Sequence, residues 1–251
     1  FRNVTGVQTC ALPISIVSRK AQTTRSLVRG IALTGQAQII FVDTPGIFAP
    51  RRRLDRAMVT SAWGGAGDAD AIALLVDARR GIDADTEAIL GKLAELRRKK
   101  VLVLNKVDVV AKPELLELAA DLNAREKFAE TFMVSALRGQ GLDRLLAGIG
   151  ALMPEGPWLY PEDQVSDAPL RSLAAEITRE KIFERLHDEL PYEITVETDQ
   201  WKEMPDGSAR IEQTIYVSRE GHKKIVIGEG GRMLKSIGAA ARKEIMEATE
   251  A

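Results

Sequence analysis

Ile39-Ile40-Phe41-Val42, followed directly by Asp43-Thr44-Pro45-Gly46, constrains this chain more than any other stretch. Four apolar, mostly β-branched or aromatic residues in a row read as a buried strand of a parallel sheet. The run then stops abruptly. Pro45 has no N–H to give a ladder, and Gly46 can take backbone angles closed to other residues. Asp43 therefore stands at the carboxyl end of a central strand, where open α/β sheets bind ligands. A carboxylate there can hold Mg²⁺ through a water, and the Gly46 N–H can point at a terminal phosphate. Asp-x-x-Gly is short, and taken alone an ordinary turn fits it equally well.

A second apolar run changes the balance. Val101-Leu102-Val103-Leu104 ends in Asn105-Lys106-Val107-Asp108. The Asp108 carboxylate can accept both N1–H and the exocyclic amine of guanine, a pair of donors that adenine lacks. Lys106 can lay its alkyl stem along a base, and Asn105 can tie neighbouring loops together. A site built to pair polar groups strongly rejects a base without them. A third run, Thr131-Phe132-Met133-Val134, ends in Ser135-Ala136-Leu137. In GTPases a Ser-Ala at this place contacts the base through backbone N–H. The Ser-Ala pair says little alone, but the three signals in this order say much.

With 251 residues the chain is long enough for two domains. No run approaches the ~18 apolar residues of a membrane span, and no signal peptide is evident. A single cysteine, Cys10, rules against a disulfide framework. The net charge of −1 announces no nucleic-acid binder, so such a role must come from local clustering.

Residues 1–14 have no clear period and resemble translated adapter or linker sequence, with a genuine first strand as the alternative. Ser18-Arg19-Lys20-Ala21-Gln22-Thr23-Thr24-Arg25 reads as a polar loop. A Thr in such a loop is what a GTPase switch uses, its hydroxyl on Mg²⁺ and its N–H on the γ-phosphate. Thr24 is the candidate and Thr23 the reserve. Val28 to Thr34 and Gln38 to Val42 predict an antiparallel hairpin turning at Gly35. Leu54 to Trp63 predicts a helix ended by Gly64, Gly65 and Gly67. Ala71 to Val76 predicts a further strand. Helices are expected over Asp83 to Lys100, with a basic end that suits the helix dipole, over Lys112 to Phe128 and over Gly139 to Met153. Strand and helix alternate, so the sheet is mostly parallel with helices on both faces. In Ras-like sheets a strand lies between those ending at Asp43 and Val76; here that slot falls to residues 1–14, which offer a poor strand, so a marginal first domain that binds GTP very weakly at best is expected.

The proline-rich, acidic stretch 154–168 reads as a linker. Beyond it the grammar changes. Leu170 to Leu190 predicts one long helix, Glu193 to Thr198 and Ala209 to Ser218 two strands around a Pro205-Asp206-Gly207 turn, and Arg232 to Glu247 a last helix. Between them stands Ile225-Val226-Ile227-Gly228-Glu229-Gly230-Gly231, the signature of a KH module. Gly228 and Gly231 let an RNA backbone approach closely, and helix N-termini face its phosphates. From Arg219 to Lys243 there are seven Lys or Arg against two Glu, a local positive patch. The RNA-contact candidates are Lys223, Lys224, Gly228, Glu229, Gly230, Gly231, Arg232 and Lys235. His222 reads as a surface or packing residue.

Taken together, these motifs resemble the Era family of bacterial GTPases from about Ser15 to Thr249. Glu189-Leu190-Pro191-Tyr192 and Arg219-Glu220-Gly221-His222-Lys223-Lys224 share the likeness. The resemblance implies a Ras-like, P-loop-NTPase-like α/β G domain over residues 15–153 and a smaller α+β KH type II domain over 169–251. It implies hydrolysis of GTP to GDP with Mg²⁺, with Thr24, Asp43 and Gly46 at the reaction and Thr24 and Asp43 on the metal. Asp43, Thr44, Pro45, Gly46, Asn105, Lys106, Asp108, Ser135, Ala136 and Leu137 would hold the nucleotide. It further implies binding of small-subunit ribosomal RNA and the 30S particle by a cytoplasmic monomer, with peripheral contact to the inner face of the membrane. Two departures stand out. No Gly-x-x-x-x-Gly-Lys-[Ser/Thr] phosphate loop is present, and the chain stops within the RNA module, so both ends read as truncated. Ile47 stands where Ras-like enzymes place a water-orienting Gln; the Era family shares an apolar residue there, which implies that another group positions the water. The alternative expectation is an RNA-binding module whose G domain is only scaffold, catalytically dead in this chain because the phosphate loop is absent.

Overall fold

A computed structural model of the chain describes residues 28–44, 53–162, 164, 169–186 and 193–249. They fall into two compact units, one up to residue 164 and the other from residue 169.

The first unit is organised by a parallel three-stranded sheet in the order β3-β4-β5, comprising β3 (Ala71–Asp77), β4 (Lys99–Asn105) and β5 (Glu130–Val134). Its middle strand is buried on both faces. Leu102 and Leu104 pack with Leu74 and Val76 under helices α2 (Ala84–Leu93) and α3 (Lys112–Arg125). Val101 and Val103 point the other way, toward Phe132, Val134 and Ile149 of α4 (Leu142–Leu152). That explains the unbroken apolar run: a strand between two helical layers has no polar face. Helices on both faces of a parallel sheet match the expectation from the alternating pattern.

The expected hairpin is also present. Strands β1 (Val28–Thr34) and β2 (Ala37–Asp43) pair antiparallel with Val28 opposite Asp43. Gly35 has φ +58° in the two-residue turn, the conformation such a turn requires. Among the described residues this hairpin forms no ladder with β3, and Ile39 joins it to the sheet through the apolar layer beneath α4. The slot assigned to residues 1–14 lies outside the described residues.

Two helices depart from expectation. The first, α1 (Arg53–Asp68), runs through Gly64, Gly65 and Gly67 instead of ending at them. Burial of Ala62 and packing of Trp63 against the α2 side outweigh a glycine penalty of ~1 kcal/mol each. Arg98 also donates to the Gly67 carbonyl near its end, at 2.8 and 3.1 Å. The second, α2, stops at Leu93, not Lys100. Its start is fixed by Asp83, whose carboxylate accepts from the Thr86 N–H at 2.8 Å. Lys99 and Lys100, expected as the helix's basic end, instead open β4, and Lys100 is buried against Glu126 at 3.2 Å. Helices α3 and α4 are likewise each shorter than predicted.

The stretch after α4 returns to the hairpin. The Gln38 carboxamide oxygen accepts from the N–H groups of Leu159 and Tyr160, and its nitrogen donates to the Tyr160 carbonyl at 2.8 Å. The Trp158 indole donates to the Gln36 carbonyl at 3.0 Å.

The second unit comprises α5 (Leu170–Arg185), an antiparallel hairpin of β6 (Ile194–Glu203) and β7 (Ala209–Val217), α6 (Glu220–Ile227) and α7 (Arg232–Thr249). Helix α5 ends at Arg185 rather than Leu190, and residues 187–192 lie outside the described residues. Strand β6 extends past Thr198 through an irregularity in register between Thr198 and Gln200. The core joins Ala175, Ile182 and Leu186 to Ile194, Val226 and Ile237. Lys181 is buried and pairs with Glu244 at 2.5 Å. Burial works against its charge, but Glu244, Glu180 and Glu184 raise its pKa above the ordinary lysine value.

Candidate functional site

Parallel strands place their ends side by side. Asp77 of β3 is in register with Asn105 of β4, which is in register with Val134 of β5. Asn105-Lys106-Val107-Asp108 and Ser135-Ala136-Leu137 therefore leave the sheet at one edge. The Asn105 carboxamide oxygen accepts from the Lys106 N–H at 2.7 Å and the Ala136 N–H at 3.1 Å. It ties the two loops together, as its position in the sequence predicts. Lys106 has φ +67°, the only positive φ of a non-glycine residue among those described. Such a conformation costs on the order of 1–3 kcal/mol and marks places where geometry is imposed.

Asp108 lies in the short 3₁₀ turn Val107–Val109, and its side chain is 6% exposed. The Ser135 hydroxyl donates to it and holds its carboxyl below the ordinary aspartate range, with the charge of Arg138 adding to the effect. Arg138 Nε lies 3.4 Å from the Asp108 Oδ2. The result is an acceptor-only carboxylate beside backbone N–H groups, the chemistry that guanine's N1–H and amine require. Leu137 is exposed at the rim.

Two residues of this edge escaped the sequence reading. Lys106 Nζ pairs with Asp77 Oδ2 at 2.5 Å, and Arg138 sits against Asp108. For Asp77 a signal existed, since it ends the strand before the one ending in Asn-Lys.

Asp43 ends β2, half-buried, with Thr44 next to it. A single carboxylate at a strand end suits Mg²⁺, which keeps several of its waters. Thr23, Thr24, Pro45, Gly46 and Ile47 lie outside the described residues.

In the second unit α6 runs straight into the glycine loop. Gly228 (φ +68°) caps α6, and Gly230 (φ +58°) and Gly231 (φ +76°) follow. A Cβ at Gly228 would lie 2.7 Å from that of Met233, whereas those of Gly230 and Gly231 would meet open space. The first glycine is thus demanded by packing, and the other two present bare backbone to solvent. Lys223, Lys224, Arg232 and Lys235 are all exposed around them, and Arg232 pairs with Glu229. His222 does have partners: its Nδ1 lies 3.1 Å from the Ser218 hydroxyl and 3.4 Å from Glu193.

Fold and edge together define a guanine-nucleotide-binding domain followed by a KH module. The 50S ribosome-binding GTPase family matches residues 5–106, and the KH domain family matches residues 189–250. GTPase Era of Afipia carboxidovorans is 62% identical over 234 residues, which is 93% of this chain and 76% of that protein. GTPase Era of Rhizobium meliloti is 61% identical over 237 residues, covering 94% and 76%. An Era crystal structure with MgGDPNP and nucleotides 1506–1542 of 16S ribosomal RNA superposes with a TM-score of 0.88. Its identity is 37%, over 93% of this chain and 80% of that one. The chain belongs to the Era family of GTPases. The alternative in which the G domain is only scaffold is not supported by these relatives.

Proposed function

We propose that this chain binds and hydrolyses GTP and that its nucleotide state governs binding of small-subunit ribosomal RNA by its KH unit. The observation that carries the reading is Asp108, a carboxylate 6% exposed that accepts from the Ser135 hydroxyl beside the Asn105-tied loops. Era with MgGDPNP and 16S ribosomal RNA, similar to this chain along most of its length, supports both halves. In this reading residues 15–153 are the G domain, 154–168 the linker and 169–251 the RNA module. Asp108 and the Ala136 N–H read guanine while Lys106 covers it. Asp43, with Thr24, would hold Mg²⁺, which when bound neutralises charge on the phosphates. Lys223, Lys224, Arg232 and Lys235 meet RNA phosphates around Gly228–Gly231. The family likeness extends the proposal to the 30S particle as partner and to a cytoplasmic monomer touching the membrane's inner face peripherally. Among the described residues no helix is long and apolar enough to cross a membrane.

Calorimetric titration of the chain with GDP and with ADP tests the base reading. Saturable binding of GDP alone is expected, and equal binding of the two, or of neither, would refute it. Binding of the 16S ribosomal RNA 3′ end, compared with GTP analogue and with GDP, tests the coupling.

A further inference from the structure

We infer that Asp77 is a positioning residue for base recognition: its ion pair with Lys106 fixes the lysine so that its stem spans the ends of β3 and β4 as a ready apolar surface for a purine. The inference rests on the guanine-nucleotide reading above and assigns a role to a residue outside the three loop motifs.

The geometry is specific. Lys106 Nζ lies 2.5 Å from Asp77 Oδ2, with the two side chains 35% and 19% exposed. The carboxylate is itself anchored, because its Oδ1 accepts the Arg79 N–H at 3.0 Å in the turn after β3. The Lys106 backbone is anchored as well, held in its left-handed conformation by the Asn105 side chain. The Ala78 N–H donates to the Asn105 carbonyl at 2.9 Å, which locks the strand ends in register. A lysine fixed at its backbone and at its ammonium has its four-carbon stem stretched between two fixed points. Burial of Asp77 raises its pKa, but the Lys106 ammonium and the Arg79 N–H outweigh that and keep it below the ordinary value. A lysine free of such a partner would lose rotamer freedom when a base arrives, whereas here Asp77 has ordered it beforehand.

The test is a double-mutant cycle on the full chain, with GDP affinity read by calorimetry and GTP turnover read as KM and kcat. Asp77→Ala is expected to weaken GDP about 3- to 10-fold, the size of ordering one long side chain. It should raise KM with kcat unchanged, since the pair acts on uniform binding. In a Lys106→Ala background, removing Asp77 should then change GDP affinity less than 2-fold. Asp77→Asn, which preserves shape, gives the same comparison should the alanine variant not fold. An equal loss in both backgrounds, no loss in either, or a fall in kcat at unchanged affinity would overturn the inference. Absence of GDP binding by the unsubstituted chain would overturn the guanine-nucleotide reading itself, and this inference with it.

Discussion

The Asn105 carboxamide oxygen accepts the Ala136 N–H at 3.1 Å and so joins the end of β4 to the end of β5. Asn105→Ala strands that N–H and releases the left-handed Lys106. Leaving a part-buried donor unmet costs about 1–3 kcal/mol, so thermal unfolding of the first unit should shift down accordingly. GDP affinity should fall with it by about tenfold or more. Asn105→Asp keeps an acceptor and should retain most of the stability. A variant that lost binding with no change in unfolding would show that Asn105 acts on the base and not on the loops.

Base selectivity should follow Asp108. Asp108→Asn exchanges an acceptor-only group for one that also donates. GDP should weaken on the order of 10²-fold or more, while xanthosine diphosphate gains. Competition titrations of the two nucleotides decide it. An unaltered preference for guanine would mean that another group reads the base.

Acid should weaken guanine binding, and Ser135 sets where. A carboxyl whose folded value is lowered contributes stability above its ordinary value, which is lost as pH falls through the lowered one. The Ser135 hydroxyl is the main cause for Asp108. In Ser135→Ala that value moves back up, so GDP affinity should begin to fall at a higher pH than in the unsubstituted chain. Titrations from about pH 6 down to about pH 3 bracket the ordinary aspartate value of about 3.9. Superimposable acid limbs would refute the assignment.

The KH glycines should separate folding from binding. Gly228→Ala places a Cβ against Met233 at positive φ and should destabilise the second unit. Gly230→Asp with Gly231→Asp meets open space, and Asp is among the residues that tolerate left-handed backbone. That variant should stay folded by circular dichroism yet lose RNA affinity strongly, as two carboxylates face phosphates. Affinity of the unsubstituted chain should also fall as salt rises, in proportion to the phosphates it contacts.

Lys100 and Glu126 are 8% and 9% exposed and 3.2 Å apart. Glu126→Ala leaves a buried ammonium without its carboxylate and should cost about 3–5 kcal/mol. Lys100→Met combined with Glu126→Leu should be close to neutral by the same reasoning, as thermal unfolding of the three proteins would show.

What could be read from the sequence was local. Val101–Leu104 and Thr131–Val134 announced strands because they are apolar on both faces, and the polar residues after them announced the edge of the site. The Gly-x-x-Gly loop and the Val28–Thr34 hairpin were legible for the same reason: each is specified within a few residues. What escaped was specified across distance. Lys99 and Lys100 looked like a helix's basic end because Glu126, which neutralises Lys100 in the interior, lies 26 positions later. Gly64, Gly65 and Gly67 looked like a stop because the packing of Trp63 is not visible in α1 alone. Asp77–Lys106 and Arg138–Asp108 join side chains, and Gln38 joins its carboxamide to the backbone of Leu159 and Tyr160, that only the folded chain brings together.

The middle strand gives alternate residues to two separate apolar clusters, Leu102 and Leu104 to one and Val101 and Val103 to the other. Neither layer can be peeled away without exposing a face of β4. The amides of residues 101–104 should therefore exchange with solvent deuterium only when the whole first unit opens, at its global unfolding free energy. Asn105 begins one residue later. The loop proposed to choose the base thus hangs from the backbone expected to exchange most slowly in the unit, and its pose is inherited from a strand held on both faces.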